Sequence, residues 1–380
     1  MELLAPAGSM EALRAAVCNG ADAVYLGADT FNARMNARNF SAADLQEAVV
    51  YCHVRGVKVH LTLNTLVLDR EMPRAAELIR MAASCGVDAF IVQDLGMVSL
   101  CRQLAPDVPI HASTQMSIHS LEGVLESAAL GCSRVVLARE LPAEEIAHIC
   151  KKSPVEIEVF VHGALCMCYS GQCYLSAVIG RRSGNRGQCA QPCRLPYGYG
   201  RFESTRYPLS LKDNCLAGEL DELRRMGVAS IKIEGRMKNV TYAAMVTHIY
   251  RKYVDMYLER GRKGFKVDKK DIEELSDIYN RGAFTTGYYD SVKGKKMMSL
   301  GRPNHMGTEC LKVVSNKAGR ITFKALKNEN RGDVFEIDKE HSFESGADVA
   351  AGQTFVVNLP KKYPLYEGRI VNRMNNAKIK

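Results

Sequence analysis

The chain has 380 residues, of which 47% are hydrophobic and 24% are charged, and its formal net charge is +9. This composition is typical of a globular protein with one large core and a small second domain. No apolar run is long enough to span a bilayer, and the first ten residues lack the pattern of a secretory signal. We therefore expect a cytoplasmic protein with no membrane partner, whose 13 cysteines are buried thiols, metal ligands or catalytic groups.

A repeated unit, made of a helical segment, a glycine and a short apolar strand, runs through the first two thirds of the chain. The glycines of this repeat are Gly20, Gly56, Gly86, Gly131 and Gly227. Glycine closes a helix in the left-handed conformation, and the apolar run after it suits a strand that is buried on both faces. Further runs near Leu3, Ile110 and Val159 bring the predicted strands to eight. This pattern predicts a (β/α)8 TIM-like barrel, with an open doubly wound sheet as the alternative.

The chemistry of such a barrel lies at the carboxyl ends of its strands. The polar residues at or after the predicted strand ends are Asn64, Gln93, Asp94, Ser113, Gln115, Arg139, Glu140, His162, Lys232, Glu234 and Arg236. A structural hydrogen bond is the common role of any single one of them, but their convergence on one face favours an active site. We select His162, Glu234 and Arg236 as candidate catalytic residues for proton transfer or substrate orientation.

The stretch 158–194 contains five cysteines, with Cys166 and Cys173 spaced as C-x6-C and Cys189 and Cys193 as C-x3-C. Thiolates at these spacings suit a cluster of soft metal ions, because each short loop presents two sulfurs together. A structural zinc site is one alternative, although zinc loops usually pair cysteines more closely than C-x6-C does. Another alternative is a thiol hydrolase in which His162 activates Cys166.

Four arginines of the same stretch are candidates for binding phosphate or carboxylate groups. They are Arg181, Arg182, Arg186 and Arg194. Guanidinium groups bind both kinds of anion through paired hydrogen bonds, so RNA and a small carboxylate oxygen donor are both compatible with them. The alternative is a solvated loop whose positive charge balances the thiolates.

After the eighth strand and a long helix, the sequence changes to short β-type runs separated by turn residues. We predict a barrel domain at 1–265 with a Cys-rich insertion at 162–206, a helical linker at 266–292, and a small β-barrel or β-sandwich at 293–380. Residues 291–380 contain 17 Lys and Arg against 9 Asp and Glu, a net charge of +8. A basic tail fits an anionic partner such as nucleic acid, and solubility is the alternative explanation.

Three segments resemble the collagenase-like peptidase family, peptidase family U32. They are ELLAPAGSMEALRAAVCNGADAVYLG at the start, E-x-F-x-x-G-A-L-C-x4-G-x-C-x-L-S at 158–176, and KIEGRMK at 232–238. The resemblance covers residues 1–289, and the family includes bacterial RNA- and quinone-hydroxylation proteins. It implies a barrel that holds a 4Fe-4S cluster and oxygen-independent 5-hydroxylation of a tRNA uridine or a 23S rRNA cytidine, or hydroxylation of a ubiquinone precursor.

The resemblance also assigns the cluster ligands. The cysteines that match the family pattern are Cys166, Cys173, Cys189 and Cys193. Some members lack the cysteine that corresponds to Cys193, so Cys215 is its rival as the fourth ligand. Cys168 is expected to face away from the other thiols.

Three functions follow from these observations. Iron–sulfur-dependent RNA hydroxylation is the function we prefer, because it agrees with the resemblance and uses four thiolates. A collagenase-like peptidase or thiol hydrolase is the second, and it leaves most of the loop cysteines without a role. The third is a non-catalytic RNA-binding factor with a structural metal site.

Overall fold

The computed structural model describes residues 1–34, 37–198 and 206–379 of the protein. The chain divides into two compact units, one formed by Met1–Val267 and Thr285–Gly301, the other by Asp268–Phe284 and Arg302–Lys380. Three parts of the predicted domains lie outside the described residues: 35–36 of the barrel domain, 199–205 of the Cys-rich insertion and the final residue 380.

The first unit is built on a closed barrel of eight parallel strands. Its strands, together with one additional strand, are β1 (Glu2–Pro6), β2 (Ala23–Gly27), β3 (Lys58–Leu63), β4 (Ala89–Val92), β5 (Ile110–Ala112), β6 (Arg134–Val136), β7 (Glu156–Ala164), β8 (Asp213–Cys215) and β9 (Ser230–Ile233). Each strand from β1 to β6 pairs in parallel with the next, and β9 closes the barrel by pairing in parallel with both β7 and β1. The additional strand is β8, which pairs antiparallel with β7. The predicted (β/α)8 barrel is confirmed, since an open sheet would have two unpaired edges.

Helices alternate with the barrel strands. The helices of the described chain are α1 (Met10–Cys18), α2 (Ala42–His53), α3 (Met72–Cys85), α4 (Leu95–Leu104), α5 (Leu121–Ala129), α6 (Ala143–Lys152), α7 (Leu175–Gly180), α8 (Leu220–Met226), α9 (Val240–Gly264) and α10 (Lys269–Ile278). Gly227 ends α8 in the left-handed conformation, with φ of 95°, and the chain then enters β9. This is the helix–glycine–strand order that the sequence predicted. Among the described helices, none is long and apolar enough to cross a membrane.

The second unit contains a six-stranded antiparallel sheet. The six strands of this sheet are β11 (Thr308–Lys317), β12 (Arg320–Ala325), β13 (Val334–Glu336), β14 (Ser342–Glu344), β15 (Thr354–Asn358) and β16 (Ile370–Asn375). A further short strand, β10 (Phe284–Thr285), is not part of it. The sheet order is β14-β13-β16-β11-β12-β15. Its core contains Phe323 and Phe335, both fully buried, with Phe343 stacked between their rings. The small β-rich domain is thereby confirmed.

The segment predicted as a linker, 266–292, is divided between the two units. Its helix α10 belongs to the second unit, where Asp277 is buried and forms an ion pair of 2.5 Å with Arg373 of β16. Residues 285–301 belong to the first unit, where the Tyr289 hydroxyl donates to Glu222 over 2.6 Å. Buried polar contacts therefore join each half of this segment to a different unit.

A buried ionic network occupies the amino-terminal half of the barrel. Glu158 is fully buried and lies 3.0 Å from both Lys232 Nζ and Arg134 Nη1. Arg134 also contacts Glu2 at 2.5 Å and Glu156 at 2.7 Å. Burial alone would raise the pKa of Glu158, but Lys232 and Arg134 lower it to about 2. At this level the barrel interior therefore contains ion-paired charged side chains instead of aliphatic ones.

Three buried histidines predict a loss of stability in mild acid. Burial lowers the pKa of His60 to about 4 and that of His162 to about 3. It also lowers the pKa of His111. These rings are neutral when folded, whereas in the unfolded chain a histidine protonates below about pH 6.5. The contribution of these histidines to stability is therefore fully present above about pH 6.5. It is lost as the pH falls toward their pKa values in the folded state. His60 alone is expected to cost about 2 kcal/mol of the free energy of unfolding at pH 5.

Urea unfolding at pH 7, 6 and 5 measures this effect. His60→Gln removes the ionisable ring and is expected to reduce the pH dependence by about 2 kcal/mol. The matched control is His148→Gln at an exposed helix position, which should leave the dependence unchanged. An identical pH dependence in the wild type and His60→Gln would contradict the assignment.

Candidate active site

A cavity of about 70 Å³ lies at the carboxyl ends of the barrel strands. The sequence-predicted polar residues that line it are Asn64, Ser113, Gln115, Arg139, Lys232, Glu234 and Arg236. Cys166, Ser170 and Gly171 of the Cys-rich insertion also line it, as does Arg34. The prediction that polar strand-end residues converge on one face is confirmed for this set.

Four of the predicted strand-end residues serve elsewhere. Asp94 caps α4 by accepting hydrogen bonds from two backbone amides, and the Gln93 side chain donates to the Gln115 carbonyl. Glu140 accepts hydrogen bonds from the backbone amide and the hydroxyl of Ser170. His162, described below, is the fourth. The first three therefore shape the wall of the site without lining the cavity.

Glu234 is the carboxylate at the centre of the site. Arg139 Nη2 lies 2.6 Å from Glu234 Oε2, and Arg34 Nη2 lies 3.4 Å from the same oxygen. Burial would raise the pKa of Glu234, but the surrounding guanidinium groups, with Arg34 first, lower it to about 2. Glu234 is therefore ionised at every physiological pH and is able to accept a proton but not to donate one.

Arg236 is buried beside this carboxylate, and its described side-chain hydrogen bonds go to neutral oxygens. Its guanidinium donates to Thr62 Oγ1 and to Asn32 Oδ1, each over 3.2 Å. Burial, followed by the charge of Arg34, lowers the pKa of Arg236 to about 10. Arg236 remains charged at neutral pH, so the site combines one carboxylate with three guanidinium groups. Its excess positive charge suits an anionic ligand.

Arg34 was missed by the sequence analysis. It follows β2 in an irregular loop rather than at a strand end, so neither periodicity nor a motif marks it. Glu234 raises its pKa, and the thiols of Cys166 and Cys189 act in the same direction. Arg34 therefore lies between the central carboxylate and the Cys-rich insertion.

His162 is buried and is not among the residues that line the cavity. Its Nδ1 lies 3.3 Å from the Tyr250 hydroxyl, and its ring centroid lies 6.0 Å from that of Tyr242. Burial lowers its pKa to about 3, so the imidazole is neutral at physiological pH. The barrel places His162 behind the cavity wall, and its part in proton transfer stays a prediction.

The four predicted cluster cysteines are electrostatic neighbours. Burial raises the pKa of the Cys193 thiol, Arg194 opposes the shift, and Cys166, Cys189 and Cys173 raise it further. Within residues 1–34, 37–198 and 206–379, no three His, Cys, Asp or Glu side chains lie in a geometry that could hold a metal ion. The donor chemistry of a soft-metal site is thus gathered on the carboxyl face, without preformed coordination geometry.

The rival fourth ligand, Cys215, has a different environment. It lies on β8 in register with His162 of β7, and its sulfur accepts a hydrogen bond from the Tyr250 hydroxyl at 3.7 Å. Burial raises the pKa of this thiol. Its neighbours are therefore aromatic core residues.

The expectation that Cys168 faces away from the other thiols is wrong. The Cys168 thiol donates to the Gln172 carbonyl at 3.5 Å. Burial raises its pKa, and Cys173 and Cys166 act in the same direction. The tight turn at 169–172, closed by Gln172 N donating to Tyr169 O, brings Cys168 back toward Cys173.

Two of the four loop arginines anchor the insertion. Arg186 forms a two-point ion pair with Glu71, with Nη2–Oε1 at 2.6 Å and Nη1–Oε2 at 2.9 Å. Arg194 donates to Ser210 Oγ at 2.8 Å and to backbone carbonyls. The other two, Arg181 and Arg182, are exposed. Only these two therefore remain available for an external anion.

Comparison with known proteins identifies relatives across most of the chain. A family model described as peptidase family U32 matches residues 8–299. The tRNA hydroxylation protein P1 of Bacillus subtilis is 36% identical over 312 residues, covering 79% of this chain and 73% of that protein. A collagenase of Porphyromonas gingivalis is 35% identical over 307 residues, covering 76% of this chain and 73% of the collagenase.

A further relative is longer. The 23S rRNA 5-hydroxycytidine C2501 synthase of Escherichia coli is 38% identical over 325 residues, covering 83% of this chain and 49% of the synthase. The chain thus spans about half the length of that relative. All the cavity residues named above, and the cysteines from 166 to 193, lie inside the range matched by the family model.

Proposed function

The chain belongs to peptidase family U32, and on this basis we propose that it is an enzyme that hydroxylates RNA at position 5 of a tRNA uridine or a 23S rRNA cytidine in the cytoplasm. The observation that carries the proposal is the buried carboxylate Glu234, held among Arg34, Arg139 and Arg236 in a cavity at the barrel's carboxyl face. Two relatives named for tRNA and rRNA hydroxylation support the choice of RNA.

A small carboxylate is the co-substrate that the cavity fits. Lys232 is balanced by Glu158 and Arg139 by Glu234, so Arg34 and Arg236 supply the excess positive charge. A volume of about 70 Å³ admits a group the size of a carboxylate rather than an RNA backbone. Guanidinium groups bind such a group through paired hydrogen bonds. We propose that a small carboxylic acid bound here supplies the hydroxyl oxygen and is itself reduced by two electrons. Its reduction balances the oxidation of the pyrimidine C5–H to C5–OH, so the reaction needs no molecular oxygen.

A 4Fe-4S cluster is the cofactor that the donor set fits. Four thiols that influence one another, Cys166, Cys173, Cys189 and Cys193, match the all-thiolate ligation of such clusters. When bound, the cluster would supply electron transfer or Lewis-acid chemistry beside the cavity. Cys166 belongs to both the donor set and the cavity wall.

The protein's own residues orient and charge the site. Glu234 keeps Arg34 and Arg139 directed at the cavity, and its pKa of about 2 suits a fixed negative charge that orients them. Arg236 keeps its charge while bonded to Thr62 and Asn32, so it is fixed in place before a ligand enters. Such preorganisation lowers the reorganisation that the reaction requires.

A thiol peptidase is the second candidate, favoured by the relative named collagenase and by the position of Cys166 on the cavity wall. A cysteine nucleophile needs a base within hydrogen-bond reach. His162 is engaged with Tyr250 behind the cavity wall, which weighs against this function. A non-catalytic RNA-binding factor with a structural metal site is the third candidate.

Nucleoside mass spectrometry of tRNA and rRNA tests the proposal. A strain that lacks the gene is expected to lose one 5-hydroxylated pyrimidine, and the gene on a plasmid should restore it. The Glu234→Gln gene should not restore it. An unchanged nucleoside profile in the deletion strain would remove RNA hydroxylation and leave the peptidase and binding functions to be assayed directly.

A further inference from the structure

The second unit contains an open groove of about 640 Å³ that is separate from the cavity of the barrel unit. Two loops form it, the β11–β12 turn at 315–319 and the segment 361–367 between β15 and β16. Its volume is that of sites that take a nucleotide-sized ligand, roughly 300–1,000 Å³. The groove shares no residue with that cavity.

The two loops are rigidly joined. Asn316 Nδ2 donates to the Leu365 carbonyl over 2.9 Å, and its Oδ1 accepts from the Gly319 amide over 3.1 Å. Gly319 has φ of +97°, and a Cβ there would overlap the Leu359 carbonyl oxygen. Leu365 anchors the floor in the core of the unit. The groove is therefore preformed and does not need to be ordered by a ligand.

The two loops of the groove are positively charged. Lys317 and Lys361 line the groove, and Arg320 and Lys362 stand next to its lining residues in the sequence. Glu367 is the one carboxylate at 315–320 and 361–367, so these two segments carry a net charge of +3.

Several cations elsewhere in the unit form ion pairs. Arg373 contacts Asp277 and Asp333, and Lys327 contacts Glu273. In the part of the chain that the structure describes, Lys317, Arg320, Lys361 and Lys362 have no carboxylate partner. These four cations are therefore available to an anionic ligand.

The groove also presents aromatic rings. Tyr366 is 67% exposed, whereas Tyr363 is half-buried with its ring centroid 4.9 Å from that of His341. An exposed aromatic face between lysines is the combination that holds single-stranded nucleic acid, through stacking on a base and contacts with the flanking phosphates. An acidic protein surface would be attracted by the lysines but would gain little from the Tyr366 ring.

We propose that this groove binds a single-stranded segment of RNA, with Tyr366 stacked on a base and Lys317 and Lys361 on the flanking phosphates. The proposal takes RNA as the partner from the proposed function, but it concerns a site on the other unit. The RNA-binding role predicted for the basic tail at 291–380 is thereby assigned to the loops at 315–319 and 361–367.

The test uses the full chain and a fluorescein-labelled single-stranded RNA of about 20 nucleotides, with fluorescence anisotropy over a series of salt concentrations. Tyr366→Ala is expected to weaken binding about tenfold, and Tyr366→Phe should restore it because the ring is retained. Lys317→Ala with Lys361→Ala is expected to reduce the salt slope by about 1.4, because two phosphate contacts are lost.

The matched control is Lys312→Ala with Lys324→Ala. These lysines are exposed and face each other across the same pair of strands, away from the turn. The control removes the same charge, and it should leave affinity and slope unchanged. Equal losses in the control and the groove variant would overturn the proposal, as would wild-type affinity in the groove variants.

Hydroxylation assays separate this proposal from the proposed function. Groove variants are expected to raise the KM for tRNA about tenfold while kcat at saturating tRNA stays at the wild-type value. A chain that binds the RNA through the groove but hydroxylates none would contradict the proposed reaction and support the groove. If the chain hydroxylates RNA and the groove variants have the wild-type KM, the result would support the reaction and overturn the proposal that the groove binds RNA.

Discussion

Glu234→Gln is expected to reduce RNA hydroxylation at least about 100-fold while the iron content stays at the wild-type level. The substitution keeps the shape of the side chain but removes the charge that Arg34 and Arg139 share. Arg34 and Arg139 would then lose their carboxylate partner, and removing one member of a largely buried ion pair costs about 3–5 kcal/mol of stability. Hydroxylated nucleoside, iron and thermal unfolding are measured on the same preparation.

The matched control for this experiment lies at the other end of the barrel. Glu156→Gln removes a carboxylate from the buried Arg134, 2.7 Å away, without touching the cavity. It is expected to keep hydroxylation near the wild-type rate. Parallel loss of iron and activity in Glu234→Gln would assign Glu234 a purely structural role. Full activity with full iron would remove it from the active site.

The second large effect concerns iron. Protein purified without oxygen is expected to be brown and to contain about four iron and four sulfide per chain. Cys193→Ala is expected to lose this cluster, because Cys193 lies among the thiols of Cys166, Cys173 and Cys189. Iron and acid-labile sulfide assays, together with the visible absorption spectrum, measure the result.

Cys215→Ala provides the comparison. Its sulfur is bonded to Tyr250, so this variant is expected to keep its iron. Loss of iron in Cys215→Ala and retention in Cys193→Ala would reverse the assignment of the fourth ligand. A colourless wild-type protein with one zinc ion would contradict the cluster and support the structural zinc site.

The barrel was predictable because its signals are local. A helix, a left-handed glycine such as Gly227 and a buried strand follow one another within about a dozen residues, and eight such strands suit a closed barrel. Strand ends then follow from the same pattern, which is why Glu234, Arg236 and Arg139 were selected and are found lining the cavity. The cysteine spacing was equally visible in the sequence.

Contacts between distant segments were not predictable in this way. Arg34 reaches Glu234 from an irregular loop 200 residues away, and no spacing rule connects the two. His162 ends a strand as predicted, yet it packs against Tyr250 of α9 behind the wall of the cavity. Arg186 is of a residue type that binds anionic ligands, but its guanidinium group forms an ion pair with Glu71.

The sequence by itself determined the alternation of strands and helices, the positions of the strand ends and the cysteine spacing, since each depends on residues close together in the chain. Only the tertiary structure decided which charges remain without a partner. Arg236 and the lysines beside Tyr366 stay available to ligands because no carboxylate among the described residues is bonded to them, whereas Arg134 and Arg373 are neutralised. Ion pairing depends on distances of a few ångströms between segments far apart in the chain, and local sequence patterns contain no information about those distances.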